Sequence, residues 1–463
     1  MPEGGTVAEI AHHEHIPPGP EMVWWIQNIV ERGIRRPGYT PDRWTVDWAE
    51  AFFLELGLSD VTREPVVLPY WEPRSWLLEI WPVNAPDEML EPRCFPVPLS
   101  APAFGGVEGP VVVVGDGDVS GAMALDTVTL TRFRQTTARD LAMRAYDPDL
   151  EFETLTQVLP FGRQMQNVME PAIDAGARAF IGVFDAPWDT CDYYVPYDAV
   201  ERPIPGVWIS RSDGERVREM LAGGPVFARM TVDSKTEPVE THNLIGSLPG
   251  ASEEWVIVAC HHDGPWTSAV EDAGGVALVL AQAAYWSRVP QLERPHNMLF
   301  LLTSGHMSHG AGTRAFIASH RQMLDRVVLE MHLEHPAREC VGENGRLIPT
   351  DNPEVRWWFT SRNDALIDAV EAALRAEDLR RSLVMPPDVF GPHPTTDGGF
   401  FHLEGVPLVN FLTAPMYLFD SQDTMDKIHV SSLDGVTRAA IRILNSTRGV
   451  SAAEMRAGVT ATP

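Results

Sequence analysis

Residues 256–275 hold the densest set of groups in this chain that could do chemistry. Val256-Ile257-Val258-Ala259-Cys260 is an apolar run that ends on His261-His262-Asp263-Gly264. The acidic pair Glu271-Asp272 follows, and then Ala273-Gly274-Gly275. Such a run reads as a buried strand, and the Gly-Gly that follows the acidic pair as the start of a helix. Groups at the carboxyl end of a strand in an open α/β sheet sit where these folds build their sites. Imidazole together with carboxylate is the donor set of zinc or a similar divalent ion. The segment therefore points to a metal-dependent hydrolase.

Eight of the fifteen histidines lie between 261 and 335: His261, His262, His296, His306, His309, His320, His332 and His335. His261 is expected to bind metal together with Asp272. His262 should face the opposite side of the strand. His296 and His320 are expected only to hydrogen-bond at element ends. His306 follows the apolar run Met298 to Leu302 and is expected to ligate metal or to act as general base. His309 shares a face with His306 if that segment is helical. Glu330, His332 and Glu334 share one face of an extended strand, so either the stripe or Glu330 alone lines the pocket. His306-x-x-His309 lacks the Glu of the HExxH zinc helix.

The formal charge of −28 argues against nucleic acid and anionic membranes as partners. No stretch approaches the ~18 apolar residues of a membrane span. The opening MPEGGTVAEIAHHEHIPPGP has neither the basic nor the apolar region of a secretory signal, so the expected location is cytoplasmic. Cys94, Cys191, Cys260 and Cys340 form no CxxC pair and suggest neither a disulfide framework nor a thiolate metal site.

At 463 residues the chain can hold two or three domains. Residues 21–60 read as helical, broken by Pro37 and Pro41, and a Pro-rich β-like stretch follows. A middle region has its own α/β pattern. From residue 255 onward strands and helices alternate, which implies a largely parallel sheet flanked by helices.

From about residue 100 to 445 the chain resembles the zinc-dependent aminopeptidase and glutamate carboxypeptidase-like peptidases. Asp174-Ala175-Gly176-Ala177 and the Ile204 to Ser210 strand resemble that family's protease-associated insert. The family's sheet carries a cocatalytic zinc pair. The resemblance implies that His261 binds metal and Asp263 orients it, that the bridging aspartate falls on Asp272, and that a later strand-end acid falls on Glu330 in Leu329-Glu330-Met331. The family's Glu-Glu pair, general base and ligand, falls on Gly305-His306 or His306-Met307, and neither alignment retains a carboxylate. The position of its last His ligand falls on Phe419, with Asp420 beside it. Pro394 to Phe400, containing Asp397, resembles a loop near the family's pocket.

The expected architecture is a mixed, mostly parallel sheet with an inserted protease-associated-like domain. The expected units are 1–75 (helical part of the catalytic domain), 76–238 (insert), 239–450 (catalytic domain) and 451–463 (tail). The expected function is a metal-dependent hydrolase of a small amide-like or related polar substrate or short peptide, with a diverged site that lacks the usual Glu base. Its divalent ions, zinc by donor set, number one or two per chain. Metal ligands are expected at His261, Asp272, Glu330 and His306. His306, His309 and Asp263 are the expected catalytic groups, and His332, Asp397 and Phe419 line the pocket. Alternatives are a single-metal lyase or hydratase and a catalytically inactive binding scaffold. A homo-oligomer is compatible with all of these.

Overall fold

The computed structural model describes residues 8–162, 165 and 167–459. Residues 1–7 and 460–463, from the expected opening and tail, lie outside the described residues. Among the described residues, 14 strands join in one continuous sheet. The strand Trp255–His261 runs parallel between Asn297–Thr303 and Val327–Leu333, and Leu408–Thr413 continues the parallel order. Every residue from Val256 to His261 is buried. That burial on both faces is why this strand reads as an unbroken apolar run instead of an alternating one. The helix Gly275–Arg288 that follows is buried from Gly275 through Trp286. Met22, Trp25 and Ile26 of the helix Gly19–Val30 join the same apolar cluster as Val276 and Val279, so the N-terminal helices pack on this half.

The middle region has a separate core, with Leu78, Ile80, Met123, Ile181, Val207 and Ala228 among its members. It is joined to the rest by two long antiparallel strands, Ser59–Pro82 and Val226–Leu248. The boundaries expected at 75/76 and 238/239 fall inside these strands, whose pairing continues from one half into the other with a register shift between Pro73 and Ser75. The middle region also returns to the far edge of the sheet, where Arg144–Tyr146 pairs with Ser382–Met385. Part of the expected tail is ordered: Ala452–Ala457 is a helix with a Ser451/Glu454 capping box. The hairpin Arg338–Glu343/Arg346–Pro353 and the strand Arg356–Thr360 are among the elements that the sequence did not announce. Trp357 and Trp358 of that strand are buried. No helix among the described residues is long and apolar enough to cross a membrane.

Glu354, at the start of that strand, is buried, and Oε1 accepts a hydrogen bond from the Val355 N–H at 2.9 Å. Burial raises its carboxyl to about 8, further raised by Glu339 and only partly relieved by Arg381. The folded state therefore holds a proton that the unfolded chain releases near the ordinary carboxyl range. Stability from this group is present below that range and falls as pH rises through about 8, by at most ~1.4 kcal/mol per pH unit. Glu354→Gln should show a Tm advantage over the parent that grows from pH 5 to pH 8. Parallel Tm curves for the two proteins would show that Glu354 does not hold this proton.

Candidate metal centre

The strand register sets the level of the site. Ala259 pairs with His332, so Glu334, two residues further along, comes level with His261 at the strand ends. Between them the loop after the strand returns Glu271 and Asp272. His261 Nε2 lies 3.5 Å from Glu271 Oε1 and 4.0 Å from Asp272 Oδ2. His306 Nε2 approaches the same Glu271 Oε1 at 3.5 Å. His335 Nε2 lies 2.6 Å from Glu271 Oε2 but is too poorly aligned for a hydrogen bond. Two donor groups have ligand atoms within 4.8 Å of one another: His261, Glu271 and His306, and His261, Asp272 and Glu334.

Main-chain ties hold this arrangement. Arg35, wholly buried, donates to the carbonyls of His262 (3.3 Å), Thr267, Ser268 (2.7 Å) and Glu271 (3.4 Å). Asp423 accepts from the N–H groups of Val270 and Glu271. Asp272 Oδ1 accepts from Gly275 N–H at 3.0 Å at the start of the long buried helix, where a carboxylate meets the helix dipole favourably. A Cβ on residue 275 would lie 2.1 Å from that carboxylate, so only glycine admits it.

Six buried atoms from five residues have no hydrogen-bond partner here: His261 Nε2, both Glu271 oxygens, Asp272 Oδ2, Glu334 Oε2 and His335 Nε2. Each such group costs about 1–3 kcal/mol unsatisfied. Six of them would rival the roughly 5–15 kcal/mol that holds a whole domain folded. The donor set fits a divalent cation, with imidazole nitrogens and carboxylate oxygens facing a common point.

Several expected residues stand elsewhere. Glu330 is one turn of the pleat too deep and bonds His332 Nδ1 at 2.8 Å, away from the cluster, and Glu334 occupies the strand-end position instead. His332 does not line the pocket. It is fully buried between Glu330 and Glu334, 2.9 Å from the latter, and these two acids raise its basicity against the effect of burial. The shared face of the three residues is as the strand pattern implied. His309 is exposed, because residues 305–310 form a turn and not a helix, and its ring meets the edge of Phe400. Asp263 orients His261 through its main-chain carbonyl, 2.9 Å from Nδ1, while its carboxylate accepts from the N–H groups of Gly305, His306 and Met307. Asp420 turns away to Thr190. His262 points to Asp42, and His296 and His320 bond Thr447 and Glu64.

His306 Nδ1 bonds Asp397 Oδ1 at 2.9 Å, and Thr303 and Thr313 hydroxyls donate to the other Asp397 oxygen. Burial disfavours charge on both partners, but their mutual attraction outweighs it and holds His306 up at about 10 and Asp397 down at about 2. Asp397 therefore lies behind His306 and does not line the pocket.

His306 and His335 form the inner end of a cavity of about 630 Å³. Its walls are apolar: Phe133, Phe161, Trp357, Phe390, Leu418 and Phe419 among others, with Tyr197 against His306. Phe419 is placed as expected. Among the described lining residues there is no Asp, Glu, Lys or Arg.

Glu271, Glu334 and His335 were not singled out as ligands from sequence. Each had a signal: the acidic pair, the strand stripe and the histidine cluster.

Residues 243–444 match the model of Peptidase family M28. The fold is similar to that of a Peptidase M28 precursor from Shewanella amazonensis SB2B, at 18% identity and TM-score 0.72, over 96% of this chain and 95% of that one. It is similar to an aminopeptidase from Aneurinibacillus sp. strain AM-1, at 17% identity and TM-score 0.64, over 94% of each chain. It is also similar to BSAP, a zinc aminopeptidase from Bacillus subtilis, at 16% identity and TM-score 0.62, over 92% of this chain and 95% of that one. No curated protein matches the sequence. The strand-end cluster lies within residues 243–444, the segment that matches the model of Peptidase family M28.

Proposed function

We propose that this protein is a metal-dependent hydrolase of an amide-like bond, with a substrate that presents a neutral, apolar group to the cavity. The observation that carries this is the convergence of unpartnered buried donors at the inner end of an apolar cavity. His261, Asp272 and Glu334 would hold one divalent ion, zinc by donor type, with Glu271 beside them. Both donor groups draw on the same imidazole, His261, and an imidazole nitrogen has one lone pair, which favours a single ion. The bound ion would supply Lewis acidity and a water ionisable near neutral pH.

His306 stands where a proton must be moved. Asp397 fixes its ring through Nδ1 and leaves Nε2 facing the cluster and the cavity. Held protonated at neutral pH by Asp397, it would donate its Nε2 proton to the leaving group, which differs from the general-base role expected of it from the sequence. His335, paired with Glu271, balances the negative charge of the cluster. Phe419, Leu418 and the ring of Phe390 exclude water around the substrate's apolar group.

Metal content by elemental mass spectrometry, after exhaustive dialysis, tests the ligand assignment. The parent should keep one tightly held ion. His261→Ala and Glu334→Ala should lose it, a larger loss than the roughly 10–100-fold set by outer partners. Glu330→Gln should keep it. Retention in Glu334→Ala would overturn the ligand set, and a parent that binds no ion would overturn the hydrolase itself.

Turnover of neutral apolar p-nitroanilides tests the proton carrier. His306→Ala should keep the ion and lose about 10²–10⁴-fold in kcat. Asp397→Asn should lose less and retain metal. If His306→Ala loses the ion as well, His306 is a ligand and not the proton donor.

A further inference from the structure

A second group of imidazoles lies far along the chain from this centre, on the N-terminal strap. We propose that His12, Glu14 and His15 form a peripheral site for a divalent transition metal ion of the zinc type, with Glu293 as the outer partner of His12. His12 Nδ1 lies 3.6 Å from Glu14 Oε1, and His15 Nε2 lies 3.8 Å from the same oxygen. The three donors are within 4.8 Å of one another. A tetrahedral ion with bonds near 2.0–2.1 Å needs its donors about 3.3 Å apart. The two distances to Glu14 Oε1 exceed that spacing by a few tenths of an ångström. The rings of His12 and His15 stack at 5.0 Å and 11°, and both are half-exposed.

A second observation is independent of the cluster. The other nitrogen of His12, Nε2, is bound to Glu293 Oε2 at 2.9 Å, across 281 residues of chain. A carboxylate on the far nitrogen of an imidazole fixes the tautomer and leaves the near nitrogen basic, the usual support of a metal-bound histidine. Imidazole with carboxylate selects zinc, copper or nickel over magnesium or calcium.

The position gives the ion a mechanical role. Residues 8–15 cross the outside of the domain, where Arg442 donates to the Ala8 carbonyl (2.8 Å), Asn445 to that of Glu9 (3.2 Å) and Tyr285 to that of Ala11 (2.5 Å). An ion at His12 would clip this strap to the Gln291–Glu293 turn through Glu293.

Titration of the metal-free full chain with Zn²⁺, followed by equilibrium dialysis and elemental analysis, tests the site. The parent should bind one ion beyond the central one, more weakly. A His12→Ala/His15→Ala double variant should lose only that weaker ion and keep its central metal and its turnover. Glu293→Gln should weaken the same ion about 10–100-fold. Circular dichroism and Tm measured without metal establish that both variants fold. If the double variant binds Zn²⁺ with the parent's stoichiometry and affinity, or if Glu293→Gln leaves the weaker ion unchanged, the proposal fails.

Discussion

The structure is organised around a crowd of ionisable groups that the chain forces together away from water. Glu271, Asp272 and Glu334 face His261, His306 and His335, and five of these six side chains are almost fully buried with an atom left unpartnered. Left alone, such a cluster would repel, shift its protonation and open. It stays closed because the surrounding backbone is tied independently of it. Arg35 takes four carbonyls of the loop, Asp423 takes two of its N–H groups, and Asp263 takes three N–H groups of the turn that carries His306. Burial lowers the Arg35 guanidinium to about 10, with Asp423 and Asp272 opposing the shift, so it remains a cation at neutral pH. The geometry of the site is thus a property of its loops, set before any ligand arrives.

How much of this was legible in the sequence depended on whether a residue announced itself by period or by partner. The strand 255–261 and the helix after it follow from apolar runs and a glycine pair, and the structure places them there. His261 was legible for the same reason, because a strand end is a sequence signal. That both acids of a neighbouring pair face the site was not. Glu271 and Asp272 are adjacent, and only the path of the loop turns the first into the cluster and spends one oxygen of the second on the helix start. The choice of Glu330 over Glu334 rested on local sequence context, but register across the sheet decides it, and register is a non-local property. Arg35 was invisible because its four partners lie more than two hundred residues away. The expected unit boundaries fall within the two long strands, where the pairing continues from one half into the other.

The cavity and the cluster draw on different parts of the chain. The ionisable groups all lie between 261 and 335, on the main sheet and its loops. Thr131, Phe133, Leu159 to Gly162 and Tyr197 come instead from the middle region and close the cavity from the other side. Substitutions at Phe133 or Phe161 can therefore reshape what the cavity admits, whereas Tyr197 stacks on His306 and bears on the cluster itself. Selectivity and reactivity can drift separately in such a protein. Relatives that share this sheet need not share a substrate, and the aromatic wall contributed by residues 131–162 is the part most free to diverge.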